Sequence, residues 1–279
     1  MAGRLEGKVA FITGAARGQG RAHALRLAQE GADIIAVDLC AQVGSVGYPL
    51  ATADDLAETA QQVEALDRRI VTAQADVRDS AALKAALDDG VAQLGRLDIV
   101  LANAGIASFA PVEDLTDEMW DDMIGINLTG VFRTVRAAVP HLRAHGQGGA
   151  IVLTSSTAGI KGLANLAHYV AAKHGVVGLV KTLANELAPD MIRVNSVHPT
   201  SVSTDMIHNE ATYGNFVPDK PAAEVTRDDV APMFEGLNAL PIPWVDAVDI
   251  SNAVLFLVSD DARYVTGVQL PVDAGSVIK

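Results

Sequence analysis

The chain has 279 residues, of which 49% are hydrophobic and 20% are charged, and its formal net charge is −13. That length suits one large α/β domain or two small ones. The acidic balance argues against nucleic acid or an anionic membrane as the main partner. The single cysteine, Cys40, excludes an intramolecular disulfide and suits a reducing cytoplasm, where we expect the protein to be. No apolar run approaches the roughly 18 residues of a membrane span, so none is expected.

Short β-rich runs alternate with longer helical patterns along the chain. The predicted strands are Val9–Thr13, Asp33–Val37, Ile70–Gln74, Asp98–Ala102, Ala150–Thr154, Arg193–Val197 and Val268–Val272. The predicted helices are Gly20–Glu30, Thr52–Leu66, Ser80–Leu94, Asp117–Arg143 and Ala167–Leu187. The first five strands are almost wholly apolar, which predicts burial on both faces. The alternation indicates an α/β fold, with a single Rossmann-type, doubly wound parallel sheet and helices on both faces.

Two segments interrupt this alternation. Residues 40–52 lengthen the passage after the second strand and contain Gly44, Gly47 and Pro49. Residues 204–243 carry several prolines and scattered aromatic residues, with some helical pattern and no sheet signal. Long loops inside compact domains are often lids, so we interpret residues 204–243 as a substrate lid. We therefore predict one domain over residues 1–279, with an insertion near 40–52 and a lid near 204–243.

A glycine-rich turn follows the first strand and leads into the first helix. Gly14, Gly18 and Gly20 fit the pattern G-x-x-x-G-x-G, with Arg17 and Gln19 beside them. Glycines permit a tight turn and a close approach of the backbone, and a helix start offers free N–H groups to a phosphate. Its place directly after an N-terminal apolar strand favours a dinucleotide site over an ordinary turn.

An acidic residue follows the second strand, at a spacing from the glycine-rich turn that is typical of dinucleotide sites. Asp38 lies 18 residues past Gly20, near the spacing at which a carboxylate binds ribose hydroxyls and repels a 2′-phosphate. Leu39 follows, where an arginine would have accepted such a phosphate. The sequence therefore favours NAD over NADP, although Asp38 could also be a simple turn residue. Arg17 is the one feature that would suit NADP, unless it only braces the pyrophosphate.

Tyr169 and Lys173 stand at positions i and i+4 of a predicted helix, so their side chains share one face. A lysine ammonium beside a phenol favours the phenolate and lowers the pKa of the phenol. An isolated pair of this kind also arises by chance on solvated helices. Ser156 lies upstream as a possible partner, with Ser155 as the alternative, and either serine could simply close a turn.

Together these residues resemble the short-chain dehydrogenase/reductase family. The likeness runs from Gly7 to Gly275, because several separated motifs agree in order and spacing. The positions that match the family's catalytic residues are Asn127, Ser156, Tyr169 and Lys173. The positions that match its cofactor contacts, besides Tyr169, Lys173, the glycine turn, Asp38 and Leu39, are Asp76, Val77, Asn103, Ala104, Gly105, Pro199, Thr200, Val202 and Thr204.

The resemblance implies reversible oxidation of a secondary alcohol to a ketone by NAD. Tyr169 would be the general base, with its pKa lowered by Lys173, which would also bind the nicotinamide ribose. Ser156 would orient the substrate oxygen, and Asn127 would hold a water that carries protons to solvent. Thr200 departs from the family pattern, which commonly has glycine there. Either the backbone is ordinary at Thr200, or its side chain faces the nicotinamide.

The insertion and the run Thr13–His23 narrow the resemblance to mycofactocin-coupled, carveol-dehydrogenase-like enzymes. That likeness implies a tightly held NAD covered by the insertion and reoxidised in place by an electron carrier, and family likeness implies a homotetramer. The insertion could instead be a variable surface loop. An apolar lid favours a hydrophobic alcohol, such as a terpenoid, although at least half of its large side chains should only anchor it. Those side chains are Met206, Tyr213, Phe216, Met233, Phe234 and Trp244.

Two alternatives remain open. One is an NADPH-dependent ketoreductase of the 3-oxoacyl-carrier type, against which Asp38 argues. The other is a non-catalytic nucleotide-sensing protein on the same fold, which would not need to keep the four catalytic residues. No cluster of His, Cys and Asp has metal-ligand spacing, so we expect no catalytic metal.

Overall fold

The structure is a computed structural model that describes residues 3–279. One sheet has the strand order β3-β2-β1-β4-β5-β6-β7, and every strand pair in it is parallel. Its strands are β1 (Val9–Thr13), β2 (Asp33–Asp38), β3 (Ile70–Gln74), β4 (Ile99–Ala102), β5 (Gly149–Thr154), β6 (Ile192–Pro199) and β7 (Gln269–Val272). The order reverses between β1 and β4, so the predicted doubly wound α/β fold is confirmed.

Helices cover both faces of this sheet. They are α1 (Gly18–Gln29), α2 (Ala53–Glu64), α3 (Ser80–Leu94), α4 (Asp117–Ile124), α5 (Val131–Ala144), α6 (Ala167–Leu187), α7 (Glu210–Phe216), α8 (Arg227–Gly236) and α9 (Ala247–Val258). Successive strand side chains point to opposite faces, so Phe11 and Ile35 belong to one buried cluster and Ile12 and Ile34 to another. None of the helices described is long and apolar enough to cross a membrane.

Strand β3 departs from the predicted burial on both faces. Thr72 and Gln74 are exposed, and the other three residues of the strand are only half-buried. The reason is its place at one end of the sheet order, beside β2 alone. The apolar pattern of a strand does not reveal whether it will be central or at an edge.

The predicted single helix over Asp117–Arg143 is interrupted. Helix α4 ends at Ile124, residues Gly125–Gly130 are π-helical, and α5 begins at Val131. Such π turns are rare and frequently occur at functional sites. Gly130 lies tight against the loop after β3, since a Cβ there would be 2.6 Å from Val77 Cγ2.

Helix α9 is absent from the predicted elements. It packs against α1, and a buried histidine joins the two helices. His23 Nδ1 donates to Ser251 Oγ at 2.8 Å, and the Ser251 hydroxyl donates to the Ala247 carbonyl at 3.0 Å. His23 Nε2 is buried with no hydrogen-bond partner among residues 3–279. Burial lowers the pKa of His23 to about 4, because nothing in this packing stabilises the charged ring.

Acid should therefore weaken the fold through His23. The pKa is about 4 in the folded chain and 6.5 for the ordinary side chain, so between these pH values the unfolded chain binds a proton that the folded chain does not. The free energy of unfolding should fall as the pH drops through this window, by on the order of 3 kcal/mol in total. In His23→Leu, denaturant titrations at several pH values should show a smaller fall. An unchanged fall would contradict the assignment.

Candidate active site

The glycine-rich turn after β1 leaves no room for a side chain at Gly14 or Gly20. Gly14 has φ +68°, and a Cβ there would lie 2.8 Å from Ala104 Cα. A Cβ on Gly20 would lie 1.9 Å from the Gly14 carbonyl oxygen. Helix α1 begins at Gly18, and within the described residues no side chain caps its first turn. Its free N–H groups and the close backbone approach fit a phosphate of a dinucleotide.

The loop after β4 is tied to this turn by hydrogen bonds. Asn103 Nδ2 donates to the carbonyls of Thr13 at 3.1 Å and Gly14 at 3.3 Å. The Thr13 hydroxyl accepts from the backbone N–H groups of Asn103 and Ala104, both at 3.2 Å. These bonds join the ends of β1 and β4, so they fix the floor of the groove between the two strands.

A cleft with about 970 Å³ of empty space, partly open to solvent, runs across the carboxyl ends of β1, β2 and β4. The predicted cofactor residues that line it are Gly14, Arg17, Gly18, Gln19, Gly20, Asp38, Leu39, Asp76, Val77, Asn103, Ala104, Gly105 and Thr204. Asp38 accepts from the backbone N–H of Ala16 at 3.0 Å and of Cys40 at 3.1 Å, which orients its carboxylate. The cleft thus brings these residues together at the switch in strand order, where doubly wound sheets bind ligands.

Arg17 links three parts of this cleft. Its guanidinium donates to the Pro49 carbonyl at 2.5 Å and forms an ion pair with Asp205 at 3.0 Å. It therefore connects the glycine turn to the insertion and to the start of residues 204–243. Because Asp205 shares its charge, Arg17 is a weaker attraction for a 2′-phosphate than an unpaired arginine would be.

Residues 40–52 fold back onto the domain. Val46 and Tyr48 are buried, and Gln42 Nε2 donates to the carbonyl of Val46 at 2.9 Å. The Tyr48 hydroxyl accepts from the backbone N–H of Ala107 at 3.3 Å, in the loop after β4. Burial raises the pKa of Tyr48 to about 12. A packed segment that lines the cleft does not behave like a variable surface loop.

The predicted catalytic residues converge where β5 meets α6. The ammonium of Lys173 is buried, donates to the Thr154 carbonyl at 2.9 Å, and lies 5.4 Å from the centre of the Tyr169 ring. Burial lowers the pKa of Lys173 to about 8. Ser156 opens the turn after β5, where its Oγ accepts from the Ala158 N–H at 3.1 Å. Ser156, Tyr169 and Lys173 all line a second cavity beside the cleft.

The structure corrects the expected effect of Lys173 on Tyr169. Burial raises the pKa of Tyr169 above its ordinary value of 10, and the interaction with the Ser156 hydroxyl offsets only part of this rise. The i, i+4 spacing does put the two side chains together, as predicted. However, the Lys173 ammonium turns toward Thr154, so it lies beside the ring of Tyr169 and leaves the pKa of the phenol high.

The two candidate serines have different surroundings. Ser155 is buried, and its hydroxyl donates to the Lys173 carbonyl at 3.1 Å, which fastens β5 to α6. Both serines line the cavity, but the Ser155 hydroxyl is engaged with Lys173, whereas the Ser156 hydroxyl interacts with Tyr169, so the geometry supports Ser156 as the residue that meets a substrate. Its backbone carbonyl accepts from His198 Nδ1 at 2.8 Å. Sequence reasoning had no signal for this contact, because His198 comes from β6.

Asn127 lies in the π-helical segment and is fully buried. Its Oδ1 accepts from the Ile106 N–H at 2.9 Å, and its Nδ2 donates to the Ile106 carbonyl at 2.8 Å. A Cβ on Gly105 would lie 3.3 Å from Asn127 Oδ1 and 3.7 Å from Lys173 Nζ. The side chain of Asn127 therefore positions the loop after β4 against Lys173.

The second cavity also contains the positions expected near the nicotinamide. These are Pro199, Thr200, Val202 and Thr204. Thr200 does not have a positive φ, so its backbone is ordinary although the family commonly has glycine there. Its hydroxyl donates to Asn238 Oδ1 at 3.0 Å. Gln19 and Thr204 line both cavities and mark their junction. Gln19 Oε1 is buried there with no partner among the residues described.

Residues 204–243 contribute an apolar wall. Met206, Phe216 and Phe234 line the second cavity, whereas Tyr213 and Trp244 pack in a small cluster with Phe234. Met233, also expected in the lid, is largely exposed. Part of the large apolar set thus faces the cavity and part anchors the segment. Over residues 3–279, no group of three or more His, Cys, Asp or Glu side chains is placed to hold a metal.

Comparison with known proteins establishes the class. A family model described as short chain dehydrogenase matches residues 8–213, and the chain belongs to that family. It is 58% identical over 277 residues to (-)-trans-carveol dehydrogenase from Rhodococcus erythropolis, and the matched region covers 99% of each chain. The predicted resemblance to carveol-dehydrogenase-like enzymes is therefore confirmed.

Two solved structures share the whole fold. Carveol dehydrogenase from Mycobacterium avium in complex with NAD matches with a TM-score of 0.97 and 60% identity, over 99% of this chain and 100% of that one. A short chain dehydrogenase from Mycobacterium paratuberculosis bound to NAD matches with a TM-score of 0.91 and 47% identity, again over 99% and 100%.

Proposed function

We propose that the protein oxidises a hydrophobic secondary alcohol, of terpenoid or similar cyclic type, to a ketone, with NAD as hydride acceptor and Tyr169 as general base. The observation that carries this proposal is the joining of two cavities, one lined by Asp38 and the glycine turn and the other by Ser156, Tyr169 and Lys173. The coarser prediction, an NAD-dependent alcohol dehydrogenase, is confirmed by the carveol dehydrogenase relative and by the NAD complexes.

The cleft residues fit a dinucleotide along its whole length. Asp38 at the end of β2 suits the adenosine ribose, and the free N–H groups of α1 suit the pyrophosphate. Thr204 and Val202 continue into the second cavity, where the nicotinamide would meet the substrate. When bound there, NAD supplies the acceptor for the hydride of the alcohol.

The hydrogen-bond partners of Ser156 and Lys173 support their proposed roles. The Ser156 hydroxyl oxygen accepts from Ala158, so its proton points to the Tyr169 side, where a bound substrate oxygen could accept it in place of the phenol. The Lys173 ammonium uses one of its three donors on Thr154, which leaves donors for the nicotinamide ribose. Tyr169 then takes the hydroxyl proton of the alcohol, and a water near Asn127 would pass it to solvent.

The cavity wall supports an apolar substrate. Its large apolar side chains include Phe109, Leu163, Ile207, Phe216, Phe234 and Leu237. These side chains favour a compact hydrocarbon ring over a sugar, which would leave hydroxyl groups without hydrogen-bond partners.

Replacement of Tyr169 by phenylalanine should abolish turnover, because the ring remains and only the proton acceptor is lost. We expect a decrease of at least about 100-fold in kcat, as is typical for loss of a general base, with NAD binding retained. Alcohol oxidation and the NAD dissociation constant are the measurements. Tyr264→Phe is the matched control, because Tyr264 is 84% exposed and remote from both cavities. Near-normal turnover by Tyr169→Phe would refute the base assignment.

We also propose that residues 40–52 hold the NAD tightly, and that a mycofactocin-type carrier reoxidises it in place. The burial of Tyr48 and the links from Arg17 to Pro49 and Asp205 support a closed cleft. A homotetramer is proposed from family likeness, and the exposed Phe132 on α5 supports a helix surface available for subunit contacts.

Purified protein should therefore retain NAD through dialysis, because release would require the insertion to move. The measurement is the nicotinamide absorbance recovered after denaturation, compared with the protein concentration. Asp205→Asn, which removes the ion pair with Arg17, should lose NAD faster. Rapid exchange of NAD in the wild-type protein would contradict the proposal of in-place reoxidation.

A further inference from the structure

The substrate cavity has a charge that the apolar substrate does not explain. Two cationic side chains, Lys161 and Lys173, line it, and among the described residues no aspartate or glutamate does. The whole chain carries 34 acidic residues and only 21 lysines and arginines. Lys173 belongs to the proposed catalytic set, whereas Lys161 has no role in it.

Lys161 is held in place from two sides. Its backbone N–H donates to the Thr157 carbonyl at 3.0 Å, in the turn that begins at Ser156. Its ammonium donates to the carbonyl of Ser276 and lies 3.4 Å from the Ser276 hydroxyl oxygen, in the turn after β7. Both partners are neutral, and within residues 3–279 no carboxylate pairs with this ammonium.

A cation with neutral partners beside an apolar wall attracts an anion strongly. The lysine ammonium has three donors, and the two Ser276 oxygens do not use all of them. Charge-assisted hydrogen bonds to an oxygen anion are about twice as strong as neutral ones. A lysine that only anchored the turn after β7 would not need access to the cavity, yet both Lys161 and Ser276 line it.

We propose that Lys161 forms a subsite for a carboxylate of the substrate. The preferred substrate class is then an apolar cyclic secondary alcohol that also carries a carboxylate, with its hydroxyl at Ser156 and Tyr169. This inference rests on the proposed function and narrows it. Because Lys161 and Ser156 belong to the same short segment after β5, they hold the two ends of one molecule in a fixed relation.

A matched series of substrates tests this subsite. The three probes are 4-hydroxycyclohexanecarboxylate, its methyl ester and 4-methylcyclohexanol, which share the ring and the secondary hydroxyl. For the wild-type protein, kcat/KM for the carboxylate should exceed that for 4-methylcyclohexanol by about tenfold or more. The ester, which offers oxygen acceptors without charge, should fall between the two.

Two variants show whether the charge of Lys161 causes the preference. Lys161→Met keeps the length of the side chain without its charge, and it should bring the ratio of kcat/KM values close to one. Lys161→Arg keeps the charge and should keep most of the preference. Thermal unfolding of each variant distinguishes loss of substrate recognition from loss of stability. A lower Tm with an unchanged ratio of kcat/KM values would mean that Lys161 only anchors the turn after β7, and this result would overturn the proposal.

Carveol serves as the reference substrate. If the wild-type protein oxidises carveol but shows no preference within the series, the carboxylate subsite is wrong and the proposed function stands. If it oxidises neither carveol nor any member of the series, the proposed function is wrong, and the carboxylate subsite is then wrong as well.

Discussion

The hydrogen bond from the Lys173 ammonium to the Thr154 carbonyl is the interaction on which the candidate active site depends. It joins α6 to the end of β5, and the bond from Ser155 to the Lys173 carbonyl joins the same two elements again. Tyr169 lies one turn before Lys173 on α6, and Ser156 directly follows Ser155 after β5. The two contacts therefore bring Tyr169 and Ser156 together. The Lys173 ammonium lies 5.4 Å from the centre of the Tyr169 ring, yet burial keeps the pKa of the phenol above its ordinary value.

A second set of contacts supports the loop after β4, which lines both the cofactor cleft and the substrate cavity. The amide of Asn103 holds the glycine turn, and the amide of Asn127 holds the backbone of Ile106. Both amides therefore support the loop after β4, whose residues Asn103, Gly105 and Ile106 line both cavities. A dinucleotide that crosses from one cavity to the other would meet fixed backbone positions, which is the preorganisation that hydride transfer between two bound molecules requires.

Local patterns predicted much of this arrangement. The bounds of β1, β3, α3 and α6 agree with the predictions, because apolar runs and helical periodicity are local properties of the sequence. Helix α9 was missed, because its apolar run has no clear period, and the π-helical turn was missed, because it changes hydrogen bonding without changing the apolar pattern. The ion pair of Arg17 with Asp205, the contact of His198 with Ser156 and the high pKa of Tyr169 all depend on segments that are distant in sequence, so no local pattern could predict them.

In the proposed reaction Tyr169 accepts the proton of the alcohol, and the hydride would pass to the bound nicotinamide. The most direct test mixes the NAD-loaded protein with carveol and follows reduction of the nicotinamide over a single turnover, across a range of pH. We expect reduction at a rate that rises with pH, because a tyrosine whose pKa is raised by burial must lose its proton before it can act as a base. A rate that does not change with pH, or the absence of reduction, would contradict the proposed reaction.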